Sequence, residues 1–109
     1  MSDLAQLFKT LSEPVRLRLM VCLLHQKELC VCDFVSGLNL PQSVISRHLA
    51  YLRKHDLVVA RRDGVWMHYR VNPEQTDSLK LLYKFLREKV AENPELSQDI
   101  DNVQASLGC

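Results

Sequence analysis

At Leu57 the apolar pattern of this chain changes period, and that change limits the folds open to it. Upstream, hydrophobic residues recur at helical spacing. Leu4, Leu7, Phe8 and Leu11 fall at i, i+3, i+4 and i+7, as do Val31, Phe34, Val35 and Leu38, and Ile45, Leu49 and Leu52 fall at i, i+4 and i+7. From Leu57 to Ala60 the residues are β-branched or small, Asp63-Gly64 is a turn signal, and Val65 to Val71 reads as a returning strand. Helical spacing then resumes.

The helical segments can be bounded. The first covers residues 3–11. Ser12 is placed to N-cap the second, with Glu13 and Pro14 in its first turn, and that helix runs to about His25. It is apolar on most faces, which predicts a central buried position. A short third helix carries Val31 to Leu38 with Gly37 near its end, and a fourth starts at Asn39-Leu40-Pro41 and runs to about His55. The last, about Glu74 to Ala91, has a stripe of Leu79, Leu82, Tyr83, Leu86 and Val90 with Leu81 and Phe85 beside it, broad enough to serve its own core and a second subunit. After Asn93-Pro94 the residues are mostly polar and acidic, and a weak helix or a mobile tail is expected. The division is therefore a domain over 1–92 and a polar C-terminal tail over 93–109.

Three helices followed by a two-stranded ribbon is the order of a winged helix-turn-helix: mainly α with a β-hairpin wing. With 109 residues there is room for one small core, and a homodimer that covers more apolar surface is favoured. No apolar run approaches a membrane span, and the start has neither a basic nor an apolar leader region, so a cytoplasmic protein is expected.

Net charge is only +1, but it is unevenly spread. Residues 41–72 hold six Lys or Arg against two Asp, a local +4, while residues 73–109 hold four Lys or Arg against seven acidic residues, a local −3. Phosphates respond to the local field, so the basic segment points to double-stranded DNA as partner. Opposite its apolar side the fourth helix displays Ser43, Arg47, Ala50, Tyr51 and Lys54, a composition suited to a major groove: hydroxyls and arginine reach base edges or phosphates, and alanine permits close approach. Gln42 is placed to bond an adenine edge, Ser46 and His48 add polar contacts, and Arg61 and Arg62 are expected at the hairpin tip beside the backbone.

The four cysteines, in a chain expected to stay in a reducing compartment, read as ligands or core residues rather than disulfide partners. Cys30 and Cys32 stand one residue apart. Thiolates select soft ions such as Zn, Cd, Pb, Cu(I) and the trivalent metalloids. On a regular helix residues i and i+2 point about 200° apart, so the pair reaches one ion only if residues 29–33 are extended or frayed. Ligation would then distort the start of the helix that supports the DNA-reading helix. A site near a helix N-terminus also favours the thiolate, the form that binds metal. Cys22 sits among Met20, Val21, Leu23 and Leu24 and reads as core.

Glu28-Leu29-Cys30-Val31-Cys32-Asp33-Phe34 closely resembles the metal box of the ArsR/SmtB repressors. The resemblance extends from about Phe8 through Val71. It includes Leu11-Ser12-Glu13-Pro14-Val15-Arg16, similar to the family's opening. Ser43-Val44-Ile45-Ser46-Arg47-His48-Leu49 is similar to its recognition helix, and Arg62-Asp63-Gly64-Val65-Trp66-Met67-His68-Tyr69 to its wing. It implies a homodimeric repressor that leaves operator DNA when its inducer binds, and for this box the inducer implied is As(III) or Sb(III), with no organic cofactor. One departure stands out. The arsenic-sensing box usually has a third cysteine where this chain has Val35. A solvent or small-thiol ligand, Cys109 and Cys22 are the three open sources of a third ligand. The cadmium/lead-sensing branch draws cysteines from an N-terminal arm, and the zinc-sensing branch uses histidines on the last helix. This chain has no cysteine before Cys22 and no histidine after residue 72. A Cd(II)-, Pb(II)- or Zn(II)-responsive repressor and a redox-sensing interaction module are the alternatives. No nucleophile motif or phosphate loop is readable, so an enzyme is not expected.

Overall fold

A computed structural model describes residues 2–107. The chain folds as α1 (Ser2–Ser12), α2 (Pro14–His25), β1 (Leu29–Cys30), α3 (Val31–Leu38), α4 (Gln42–Lys54), β2 (Val58–Asp63), β3 (Trp66–Val71), α5 (Asp77–Lys89), a 3-10 turn over Val90–Glu92, and α6 (Pro94–Ala105). Among the described residues no helix is long and apolar enough to cross a membrane.

α2 is the central helix, as its all-round apolar surface requires: Leu19, Met20, Val21, Cys22 and Leu23 are all buried. Its N-cap is Glu13 rather than Ser12. The Glu13 carboxylate accepts the Arg16 amide at 2.9 Å, while the Ser12 hydroxyl donates back to the Lys9 carbonyl and closes α1. Pro14 takes the first helical position, where its missing N–H costs nothing. α4 buries Ile45, Leu49 and Leu52 completely. The stripe on α1 divides: Leu11 enters the core, while Leu4 and Phe8 remain about half exposed.

The hairpin is part of a three-stranded antiparallel sheet in the order β1-β3-β2, not an isolated two-stranded ribbon. β1 is only two residues long and pairs Leu29 with Tyr69 and Cys30 with His68. On its other side β3 pairs with β2 from Val58–Val71 out to Asp63–Trp66, with Gly64 in the turn at φ 63°. That left-handed backbone suits glycine.

The segment beyond Asn93 was expected to be a weak helix or a mobile tail; residues 94–105 are helical and docked, so it is not an appended tail. Asn93 caps α6 by accepting the Leu96 amide at 3.1 Å, and Pro94 follows at the first position. Val103 is fully buried against α3. The two helices approach so closely that a Cβ on Gly37 would stand 2.7 Å from the Val103 Cα and 2.9 Å from its nitrogen. Arg18 of α2 clamps the buried Asp99 of α6 through two hydrogen bonds of 2.8 and 3.0 Å.

Candidate thiol site and nucleic-acid interface

Cys30 closes β1 and is also the N-cap of α3, with an extended backbone at φ −90° and ψ 165°. Cys32 lies in the first helical turn. Because Cys30 is not helical, the opposed orientation of residues i and i+2 does not apply, and the two side chains converge. The structure joins the sulfurs as a disulfide pair across a single residue, with Cα atoms 5.4 Å apart, where the sequence had favoured ligands over disulfide partners. When reduced, that geometry offers two thiolates to one ion.

Asp33 completes the site, and the sequence reading passed over it. Its carboxylate accepts the Cys30 amide at 2.9 Å, while its own amide points back to the Cys30 side chain in a capping box. One ligand atom each from Cys30, Cys32 and Asp33 lies within 4.8 Å of the others. A cap residue followed three positions later by an acid was the available signal, obscured because the cap is cysteine rather than serine or threonine. The site is also tied to α6, since the Ser106 hydroxyl donates to the Asp33 carbonyl at 3.2 Å.

The other candidate ligands stand apart. Cys22 is buried on α2, and burial pushes its thiol up to about 12, which keeps it protonated in the core. Cys109 lies outside the described residues.

On α4, Gln42, Ser43, Arg47, Ala50 and Lys54 are exposed, and Ser46 is half-buried. Two expected contacts turn inward. His48 is wedged beside Arg16, 3.4 Å away, and 3.8 Å from the Glu13 carboxylate, and burial holds its imidazole below the usual range. The Tyr51 hydroxyl accepts from Gln6 at 2.9 Å, and the Arg16 guanidinium lies 3.9 Å over its ring. Both flank the apolar stripe and brace α4 against α1 and α2.

In the wing, Arg62 is exposed, but Arg61 is not a free tip cation. Its Nε and Nη2 donate to Glu28 at 2.7 to 3.1 Å. That pairing holds the Glu28 carboxyl below the usual carboxylate range. Cys30, His68 and Arg61 form one cross-strand row, with the His68 ring 4.0 Å from Glu28. A cleft of about 310 Å³ lies where α3, α4 and the wing meet. Cys32 lines it together with Val31 and Val35, Gln42 and Ser46, and Val65, Trp66, Met67 and Tyr69.

Residues 13–59, from the N-cap of α2 into β2, match the model of the bacterial regulatory protein arsR family. The arsenical resistance operon repressor of Bacillus subtilis (strain 168) is 34% identical over 74 residues, covering 68% of this chain and 70% of that protein. The chain belongs to the arsR family of bacterial regulatory proteins. A second relative, the arsenical resistance operon repressor of Escherichia coli (strain K12), is 47% identical over 68 residues, covering 62% of this chain and 58% of that protein. The chain spans between 52% and 58% of the length of the first curated relatives it matches. Among solved structures, HlyU from Vibrio cholerae N16961 superposes with a TM-score of 0.72 at 29% identity, covering 83% of this chain and 94% of that one. The arsR-family chain thus shares the winged helix-turn-helix fold of this solved structure.

Proposed function

We propose that this arsR-family chain represses transcription as a homodimer on operator DNA, and that Cys30 and Cys32 release it by binding As(III) or Sb(III). The observation that carries the reading is the convergence of the two sulfurs at the start of α3, beside the helix that would enter the major groove. The residues present suit a soft ion: two sulfurs reach a common point through an extended N-cap.

In this reading Gln42, Ser43, Ser46 and Arg47 meet the bases and backbone, while Lys54 and Arg62 add charge. His48 and Tyr51 hold the helix at its angle from behind. Leu4 and Phe8 of α1 and Leu81 and Phe85 of α5 are exposed apolar side chains that a second subunit would cover. The dimer sets two recognition helices about one turn of DNA apart. Ligation favours a form that fits the operator poorly, through coupling of about 1–3 kcal/mol.

The test is Cys30→Ser and Cys32→Ser, assayed by operator release. Both should bind DNA as the parent does and ignore As(III); release that persists in both overturns the site. A second reading rests on Asp33. A carboxylate beside two sulfurs is a donor set that also suits Zn(II) or Cd(II). Release by those ions, abolished in Asp33→Asn without loss of folding, would favour it.

A further inference from the structure

The cleft that reaches Cys32 runs between the two elements that would grip a duplex. One wall is α4, which brings Gln42 and Ser46; the other is the wing, which brings Val65 and Met67. Among the described residues its lining holds no acidic side chain. Strand alternation adds a cation. Arg62 stands opposite Met67 in the β2–β3 register, and directly opposed residues share a face of the sheet, so Arg62 belongs to the side of the wing that closes the cleft. Arg61, one residue earlier, belongs to the other side, where Glu28 holds it. Arg62 is exposed, and among the described residues no ion pair engages it.

A helix in the major groove and a hairpin beside it straddle one sugar–phosphate strand, because that strand is the ridge between adjacent grooves. We propose that the cleft seats this strand, with the Gln42 amide and the Ser46 hydroxyl donating to a phosphate, Arg62 adding charge, and Val65 and Met67 against deoxyribose. Cys32 lines the same cleft and is half-buried in it. A group carried on its sulfur and the strand therefore compete for one space. The inference rests on the proposed repressor reading and adds the place where inducer and DNA collide. Such an overlap needs no change in how two subunits are arranged. It also responds to the sign of any charge placed on the sulfur, which a shift between two dimer forms does not require.

The experiment alkylates Cys32 in the full reduced chain carrying Cys30→Ser and Cys109→Ser, where the other thiol, Cys22, is only 1% exposed. Iodoacetate puts a carboxylate on the sulfur, and 2-bromoethylamine puts an ammonium of similar size there. Mass spectrometry confirms a single addition. Fluorescence anisotropy then compares each derivative with the unmodified double variant, on a duplex from upstream of its own gene and on a mixed-sequence duplex. At low salt the carboxymethyl form should bind both duplexes about tenfold more weakly, and the aminoethyl form at least as tightly as the unmodified chain. The gap should close as salt rises. If alkylation unfolds the chain, protection answers the question instead: saturating duplex should slow iodoacetamide labelling of Cys32 about tenfold. Equal affinity of the two derivatives, or labelling that duplex does not slow, overturns the inference and leaves the repressor reading standing. Failure of the parent to bind either duplex would sink that reading and this inference with it.

Discussion

Glu28 holds Arg61 in a two-pronged ion pair at 2.7 to 3.1 Å, and so joins the residue two places before Cys30 to the middle of the wing. The pair neutralises one of the basic residues that would otherwise face phosphates. Glu28→Gln should free the guanidinium, raise operator affinity severalfold and steepen the salt dependence by about one phosphate contact. In an Arg61→Ala background the same substitution should do nothing. Fluorescence anisotropy at several salt concentrations checks this, and an unchanged slope would show that Arg61 stays with Glu28 on DNA.

Arg47→Ala tests the exposed face of α4. It should weaken operator binding by about 1–3 kcal/mol and leave As(III) uptake at the cysteines intact. Unchanged DNA affinity would move the contact surface elsewhere.

The approach of α3 to α6 makes Gly37→Ala a severe change. The added methyl meets the backbone of Val103, which cannot rotate away, so the helices must separate. A loss of about 1–3 kcal/mol is expected, read as a lower urea midpoint. Little or no shift would mean that α6 docks more loosely than the structure has it.

Arg18→Met leaves the Asp99 carboxylate buried without its partner. Because Arg18 keeps some exposure, the cost should fall toward the lower end of the range for a broken buried pair, about 3 kcal/mol. Asp99→Asn in the same background should recover part of it, and thermal unfolding of the parent, the two single variants and the double variant separates the terms.

His48 sets a pH dependence. Burial depresses its folded-state pKa below the ordinary value of 6.5, so the unfolded chain takes up the proton first on acidification. The stabilisation is therefore complete above that value and is lost as pH falls through the depressed pKa. His48→Gln should flatten the stability profile below about pH 6.5, measured by urea unfolding across that interval. An identical slope in parent and variant would assign the titration to another group.

Much of this was legible from local pattern. The helices and the hairpin follow from hydrophobic period, and the three buried positions on α4 were read directly. What escaped was set by distant residues. Leu29 and Cys30 make no strand signal of their own; they become one because β3 presents Tyr69 and His68 at its free edge. The partner of Arg61 lies 33 residues away, so its pairing could not be seen in the wing. His48 and Tyr51 stand next to Leu49 and Leu52 at the margin of the apolar stripe, where helical spacing alone does not say whether a side chain turns in or out. α6 is sparsely apolar and holds its place through Gly37 and Arg18, which belong to other helices. Asp33 was hidden by the rarity of cysteine as a helix cap.

Cys30 belongs at once to the last rung of a sheet and to the first turn of a helix. Any tug on its sulfur is therefore applied to both by a single stretch of backbone. Such a junction needs no relay of side chains across the molecule: the lever, its pivot and the two arms it moves all meet at one residue.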